Sequence, residues 1–167
     1  MQRKLAEVAA ELERTRAVVL ANFEGLDQDA LDRRPAESAW SVGEAAHHLS
    51  LVERGVVRLL GPLLHSAIAA GLPPAPADAE GDSVLGSLDR FRIEERRRRV
   101  DALESARPTH GLARAELLDA LAASRAGLLE LLRAAAPHDV SGVVHTHPAL
   151  GDLNLYEWLV FVLAHEN

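Results

Sequence analysis

The sequence predicts an all-α protein, a bundle of four main helices with a long middle connection. Three observations predict it. Apolar residues recur at helical spacing in four separate stretches; Leu, Ala, Arg and Glu, all good helix formers, dominate the composition; and no segment keeps the strict alternation with tight turns that marks paired strands. A chain of 167 residues is the size of one domain that buries a core without disulfide or metal staples, so residues 1–167 are expected to form a single helical domain.

The first helix is marked by Leu5, Val8, Ala9, Leu12, Val19, Leu20 and Phe23, and Gly25 ends it. Residues 26–39 hold Asp27, Asp29, Pro35 and Ser38 and read as a turn-rich connection with room for one short helical turn. The second helix opens on Ser41 and Glu44, the spacing of a reciprocal capping box. Its stripe runs through Val42, Ala45, Leu49, Val52, Val56, Leu59 and Leu63; Pro62 is a site for a kink, and Gly71 a stop. "GLPPAPADAEGDS" is a loop, and residues 88–106 are left open between helix and coil because their apolar positions are sparse. Leu117, Leu118, Leu121, Leu128, Leu131 and Leu132 mark the third helix, from about Ala113 to Ala135, stopped by Pro137. A further loop over residues 137–153 leads to Asn154, which with Glu157 forms the expected N-terminal cap of the last helix. That helix, "LYEWLVFVLA", is apolar nearly all round, which requires burial on several sides by the bundle alone or with a second subunit. No internal repeat stands out.

Composition excludes several classes of function. With no cysteine there is no disulfide, no thiolate ligand and no cysteine nucleophile, so any metal is held by histidine and carboxylate. A net charge of −7 argues against nucleic acid as a partner, and the run "RFRIEERRRR", interrupted by Glu94 and Glu95, reads as a solvated charged face. No stretch approaches the ~18 apolar residues of a membrane span, and the amphipathic first residues lack the apolar core of a signal peptide. No membrane association and a cytoplasmic location are the expectations.

Eight histidines remain as candidate chemistry. At about 100° per residue, His48 flanks the apolar stripe of its helix while His47 faces away. On geometry alone His48 is a core-edge histidine bonded to a neighbouring helix. His165, near a helix end, equally suits the negative pole of the helix dipole. His147 precedes Pro148, which restricts it to an extended backbone. Glu53 is expected to pair with neighbours of Arg54 or with Arg58, and it is given no role in the site.

Two stretches bear a family resemblance. "WSVGEAAHHLSLVE" resembles the Trp-Ser-x-x-Glu-x-x-x-His-Leu signature of the DinB/YfiT-like superfamily of four-helix bundles. "HPALGDLNLYEWLVFVLAHE" resembles its last-helix signature, a His-Pro-x-(Leu/Phe)-Gly loop leading to a helix with His-x-x-x-His. The turn "RPAESAW" and Ser124-Arg125 in the Leu-rich third helix also fit.

The resemblance implies a divalent metal, zinc or nickel, held at one end of the bundle by three histidines. His48 matches the first ligand and His165 the second; the third would lie four residues beyond His165, and the sequence stops at Asn167, so metal occupancy is an open expectation. His147 matches the His-Pro position and is expected to contact substrate. The resemblance further implies an enzyme acting on a small-molecule substrate, with a low-molecular-weight thiol as co-substrate, in transfer, isomerisation or hydrolysis. The alternative expectation is a non-catalytic helical module, a homodimer or small-molecule binder that kept the fold and lost the site.

Overall fold

The computed structural model describes residues 2–75, 83–89 and 102–166. Among the described residues five α-helices and one two-stranded hairpin follow in the order α1 (Arg3–Ala21), α2 (Gln28–Asp32), α3 (Val42–Ala69), α4 (Arg114–Ala135), β1 (Val144–His147), β2 (Gly151–Asn154) and α5 (Leu155–Glu166), with a 3₁₀ turn at Glu104–Ala106 before α4. Helices α1, α3, α4 and α5 are the four long elements expected, and α2 is the short turn in the connection after Gly25. Much of the open segment lies outside the described residues, as does the arginine-rich run.

Local chemistry accounts for the helix ends. The Ser41 hydroxyl accepts from the Glu44 N–H at 3.2 Å while the Glu44 carboxylate accepts from the Ser41 N–H at 3.0 Å. Asn154 and Glu157 form the same reciprocal box at the start of α5, at 2.9 and 3.1 Å. Past Ala70, Gly71 takes φ +92°, and the N–H groups of Gly71 and Leu72 donate to the carbonyls of Ile68 and Ala67. These two bonds close α3 in a Schellman motif that needs a residue able to adopt left-handed backbone. Pro62 lies inside α3, and the helix continues past it to Ala69.

The hairpin is a departure from the sequence reading, which left residues 137–153 as a loop. β1 pairs antiparallel with β2, Val144 opposite Asn154 and His147 opposite Gly151, across the three residues Pro148, Ala149 and Leu150. Gly151 sits at φ +77°, the left-handed position that closes three-residue hairpin loops. Four-residue strands carry too little alternation to announce themselves.

The bundle buries two apolar clusters. The larger joins Leu5, Val8 and Leu12 of α1, Val56, Leu60 and Leu64 of α3, Leu128, Leu131, Leu132 and Ala135 of α4 and most of α5. The smaller holds Phe23, Leu31, Ala46, Leu117 and Leu121. Within one chain α5 buries Leu155 through Val160 together with Val162 and Leu163, so the bundle alone covers it on several sides.

Between the clusters lies a layer of charge. Arg125 donates from Nε and Nη2 to Glu53 at 2.8 and 2.6 Å, and from Nη2 to Glu166 at 2.8 Å. Arg16 donates from Nε and Nη2 to Glu166 at 2.9 and 2.6 Å and lies 3.0 Å from Glu53. Thr15 donates to Glu166 and Ser124 to Glu53. Arg16 also reaches the carbonyl of Leu121, and Arg125 that of Leu12. Both carboxylates are 1% exposed and both arginines under a tenth. Glu53 therefore pairs with Arg125 and Arg16, not with Arg58 or a neighbour of Arg54, because it points into the bundle.

Exchanging α1 with α4 and α3 with α5 maps each of these bonds onto another. The exchange exposes a repeat that a search for periods misses: Leu12-x-x-Thr15-Arg16 answers Leu121-x-x-Ser124-Arg125, and Ser41-x-x-Glu44 with Glu53 answers Asn154-x-x-Glu157 with Glu166 at the same spacing. The bundle is two variants of one helical hairpin, α1 with α3 and α4 with α5, each lending a carboxylate to the other's arginine.

Candidate functional site

α3 and α5 bring His48 and His165 together, with ring centroids 5.8 Å apart. Each Nδ1 meets a carbonyl oxygen, His48 that of Ala106 at 2.7 Å and His165 that of Phe161 at 2.8 Å. A carbonyl only accepts, so both rings carry a proton on Nδ1, and no described residue engages either Nε2. His48 is thus a core-edge histidine bonded to the 3₁₀ turn before α4 and not, as expected, to a neighbouring helix, and His165 engages a carbonyl in the last turns of its own helix. Burial lowers the pKa of His165, with His48 and His147 adding to the effect against the Phe161 carbonyl, so the ring stays neutral below the usual histidine range.

The hairpin sets His147 on the same face of α5. Its ring lies 4.6 Å from Phe161 and 5.2 Å from Trp158, and Phe161 lies 4.4 Å from His165. Trp40 packs against His48 with centroids 4.7 Å apart and ring planes inclined at 49°. A continuous row of rings therefore runs from Trp40 through His48, His165, Phe161 and His147 to Trp158. His147 has the opposite tautomer from the other two. Its Nδ1 accepts from the N–H groups of Ala149 and Leu150 at 3.1 and 3.2 Å, so its proton sits on Nε2 and presents a donor. Burial also lowers its pKa, which keeps the ring neutral. Pro148 holds His147 extended as expected, and the same turn fixes its tautomer.

His47 does not join the row. It accepts the Thr109 N–H at 2.9 Å through Nδ1, while His48 donates to Ala106, so adjacent histidines clamp the segment before α4 with opposite polarity. His145 lies at the edge of the row, 6.1 Å from Trp158. Among the described residues no group of three or more His, Cys, Asp or Glu is placed to hold a metal ion. What the site offers a metal is the Nε2 pair of His48 and His165. Two imidazoles turned by carbonyls so that Nε2 is free are the donors a zinc or nickel ion requires, and in that respect the residues fit the group.

Reading the sequence missed the charge layer beside this row. Glu166 follows His165 directly; burial raises its carboxyl, but the Thr15 hydroxyl and the guanidinium groups of Arg16 and Arg125 outweigh that and hold it below the ordinary carboxylate range. The signal was present in the two Leu-x-x-(Thr/Ser)-Arg stretches.

The comparisons agree with this architecture. The signature of the DinB superfamily matches residues 11–167. The crystal structure of TT2238, a four-helix bundle protein, superposes with a TM-score of 0.62 at 24% identity, over 97% of this chain and 94% of that one. No curated protein matches the sequence. Among the described residues no helix is long and apolar enough to cross a membrane.

Proposed function

Because the chain belongs to the DinB superfamily, we propose that it is a metal-dependent enzyme acting on a small molecule, with His48 and His165 as metal ligands and His147 as a substrate contact. One observation carries this reading: two imidazoles on different helices, 5.8 Å apart, each bound to a carbonyl through Nδ1 and each with an Nε2 that no described residue engages. Outer-shell carbonyls of this kind fix the tautomer and orientation of metal-bound histidines.

A bound zinc or nickel ion supplies Lewis acidity that lowers the pKa of a water or thiol. Since the chain has no cysteine, a thiol arrives as a low-molecular-weight co-substrate. The protein's own residues position the reactants. The Nε2–H of His147 donates a hydrogen bond to an acceptor atom of the substrate, and because its Nδ1 is already held by two N–H groups the ring serves as a donor and not as a third ligand. Trp40 and Phe161 add apolar surface along the row against which a small molecule could pack.

The test is metal per chain, measured by mass spectrometry on protein purified without a metal-affinity tag. Near-stoichiometric metal that is lost in His48→Ala and in His165→Ala is the expected result, and it would direct screening to thiol-dependent transfer, isomerisation and hydrolysis. Absence of metal after reconstitution would favour a second reading, a helical scaffold or small-molecule binder, which the lack of a three-residue ligand cluster among the described residues also favours.

A further inference from the structure

We propose that Arg16 and Arg125 are positioning residues for the imidazole pair: through Glu166 and Glu53 they lock α5 to α3 and set the separation of His165 from His48. The two carboxylates sit beside the two imidazoles in sequence. Glu166 follows His165 directly, and Glu53 lies little more than a turn beyond His48. The layer and the imidazole pair therefore share the same two helices.

The last turn of a helix is held by fewer backbone bonds than its middle. His165 lies in that turn of α5. Glu166 ties the turn to α1 through Thr15 and Arg16, and to α4 through Arg125. Glu53 ties α3 to α4 through Ser124 and Arg125, and to α1 through Arg16. Both imidazole-bearing helices are thus referred to the same two guanidinium groups. A guanidinium is a rigid planar fork, so it fixes distance and angle where a lysine would supply attraction alone. Each arginine is itself anchored, Arg16 on the Leu121 carbonyl and Arg125 on that of Leu12. Stability does not demand such a layer, because well-packed apolar residues often replace buried ion pairs at no cost. Geometry does. Alone, Glu53 and Glu166 would push α3 and α5 apart, and the bridging arginines turn that repulsion into a fixed spacing.

The inference rests on the metal-ligand reading for its consequence but not for its test. The full chain is compared with the paired variant Glu53→Met with Arg125→Met, and with Arg125→Lys. Denaturant unfolding reports the fold, nitrogen-15 NMR of the imidazoles with ring-to-ring proton contacts reports the His48–His165 arrangement without metal, and calorimetric titration with zinc alone reports affinity. The expected result is a paired variant that unfolds cooperatively near the parent midpoint, has lost the ring contacts, shows mixed tautomers at His165 and binds zinc about tenfold or more weakly, the scale of losses at outer-shell partners. Arg125→Lys should fall between the two. A folded paired variant with unchanged ring contacts and tautomers overturns the proposal. Should the paired variant not fold, Arg125→Lys decides by the same reading, with unchanged contacts again overturning it. If the parent chain binds no zinc while the ring contacts still respond to substitution, the metal reading fails and the positioning role stands.

Discussion

His165 and Glu166 are neighbours on α5, and their side chains have opposite fates. The Glu166 carboxylate is consumed by Thr15, Arg16 and Arg125. The imidazole of His165 spends one nitrogen on the Phe161 carbonyl and keeps the other. The same contrast separates the whole charge layer from the whole row of rings. In the layer every donor and acceptor meets a protein partner, as burial demands. In the row, no described residue engages Nε2 of His48, His165 or His147. Polar groups whose capacity is exhausted hold a structure together, and groups with capacity to spare are what a ligand can use.

The largest expected effect breaks the layer. Glu53→Ala takes one of the two carboxylates of the layer from Arg125 and Arg16, leaving them Glu166, and removes the acceptor of the Ser124 hydroxyl's shorter bond. Removing one member of a buried pair typically costs about 3–5 kcal/mol, because the remaining charge cannot be rehydrated. Denaturant unfolding should show a loss of that order for Glu53→Ala and little for the double methionine replacement of Glu53 and Arg125. Equal losses in both would mean that the layer contributes attraction and not merely geometry.

A smaller effect tests whether exhausted polar groups outside the layer behave as the layer does. Ser41→Ala removes one half of the capping box at the start of α3 and should cost about 1 kcal/mol. The other half carries a pH signature. The Arg34 guanidinium, against some opposition from burial and with help from the Ser41 N–H, lowers the Glu44 carboxyl from 4.5 to about 2. A depressed carboxyl stabilises the fold fully above its unfolded pKa, and the contribution is lost as pH falls through the folded one. The difference in stability between the parent and Glu44→Gln should therefore be constant above pH 4.5 and shrink between there and about 2.

How much of this was legible follows the range of the interactions. Helix caps are local, so Ser41 with Glu44 and Asn154 with Glu157 could be read three residues apart, and the four long helices with them. Glu53 could not be placed, since its partners Arg16 and Arg125 are remote in sequence and its nearest basic neighbours, Arg54 and Arg58, look equally suitable. The hairpin escaped because four residues of Val-His-Thr-His give a pairing signal too short to separate from loop. His48 and His165 were picked out by a motif and a helical wheel, but the carbonyls of Ala106 and Phe161 that set their tautomers belong to the folded chain. The repeat was visible in principle, as two Leu-x-x-(Thr/Ser)-Arg stretches, yet three fixed residues in a Leu-rich and Arg-rich sequence carry little weight until their bonds are seen to interchange.

The row of rings should respond weakly in stability and strongly in binding. His165→Ala removes one hydrogen bond, to a carbonyl already inside the helix, and a partly buried ring, so a loss of about 1 kcal/mol or less is expected in unfolding. Any metal or small-molecule binding at the row should disappear in the same variant. A variant that unfolds several kcal/mol more easily would place His165 with the layer, as a structural group whose free nitrogen is incidental.

The smallest expected effect sharpens the comparison within a single helix. Arg14 and Arg16 stand two positions apart on α1, and both pair with a glutamate at hydrogen-bond distance. Arg14 holds Glu11 on the exposed face, where its own side chain is 58% exposed, and each partner is as well served by water as by the other. Arg14→Ala should leave the unfolding midpoint unchanged, and added salt should not distinguish it from the parent. Arg16→Ala, in the same helix and against the same kind of partner, should be among the most damaging single changes in the chain, because it strips Glu166, Glu53 and the Leu121 carbonyl together. A measurable loss in Arg14→Ala would mean that α1 itself, and not the layer, is the sensitive element; a null result beside a large one assigns the difference to the buried layer and its several partners, since residue type and helix are the same.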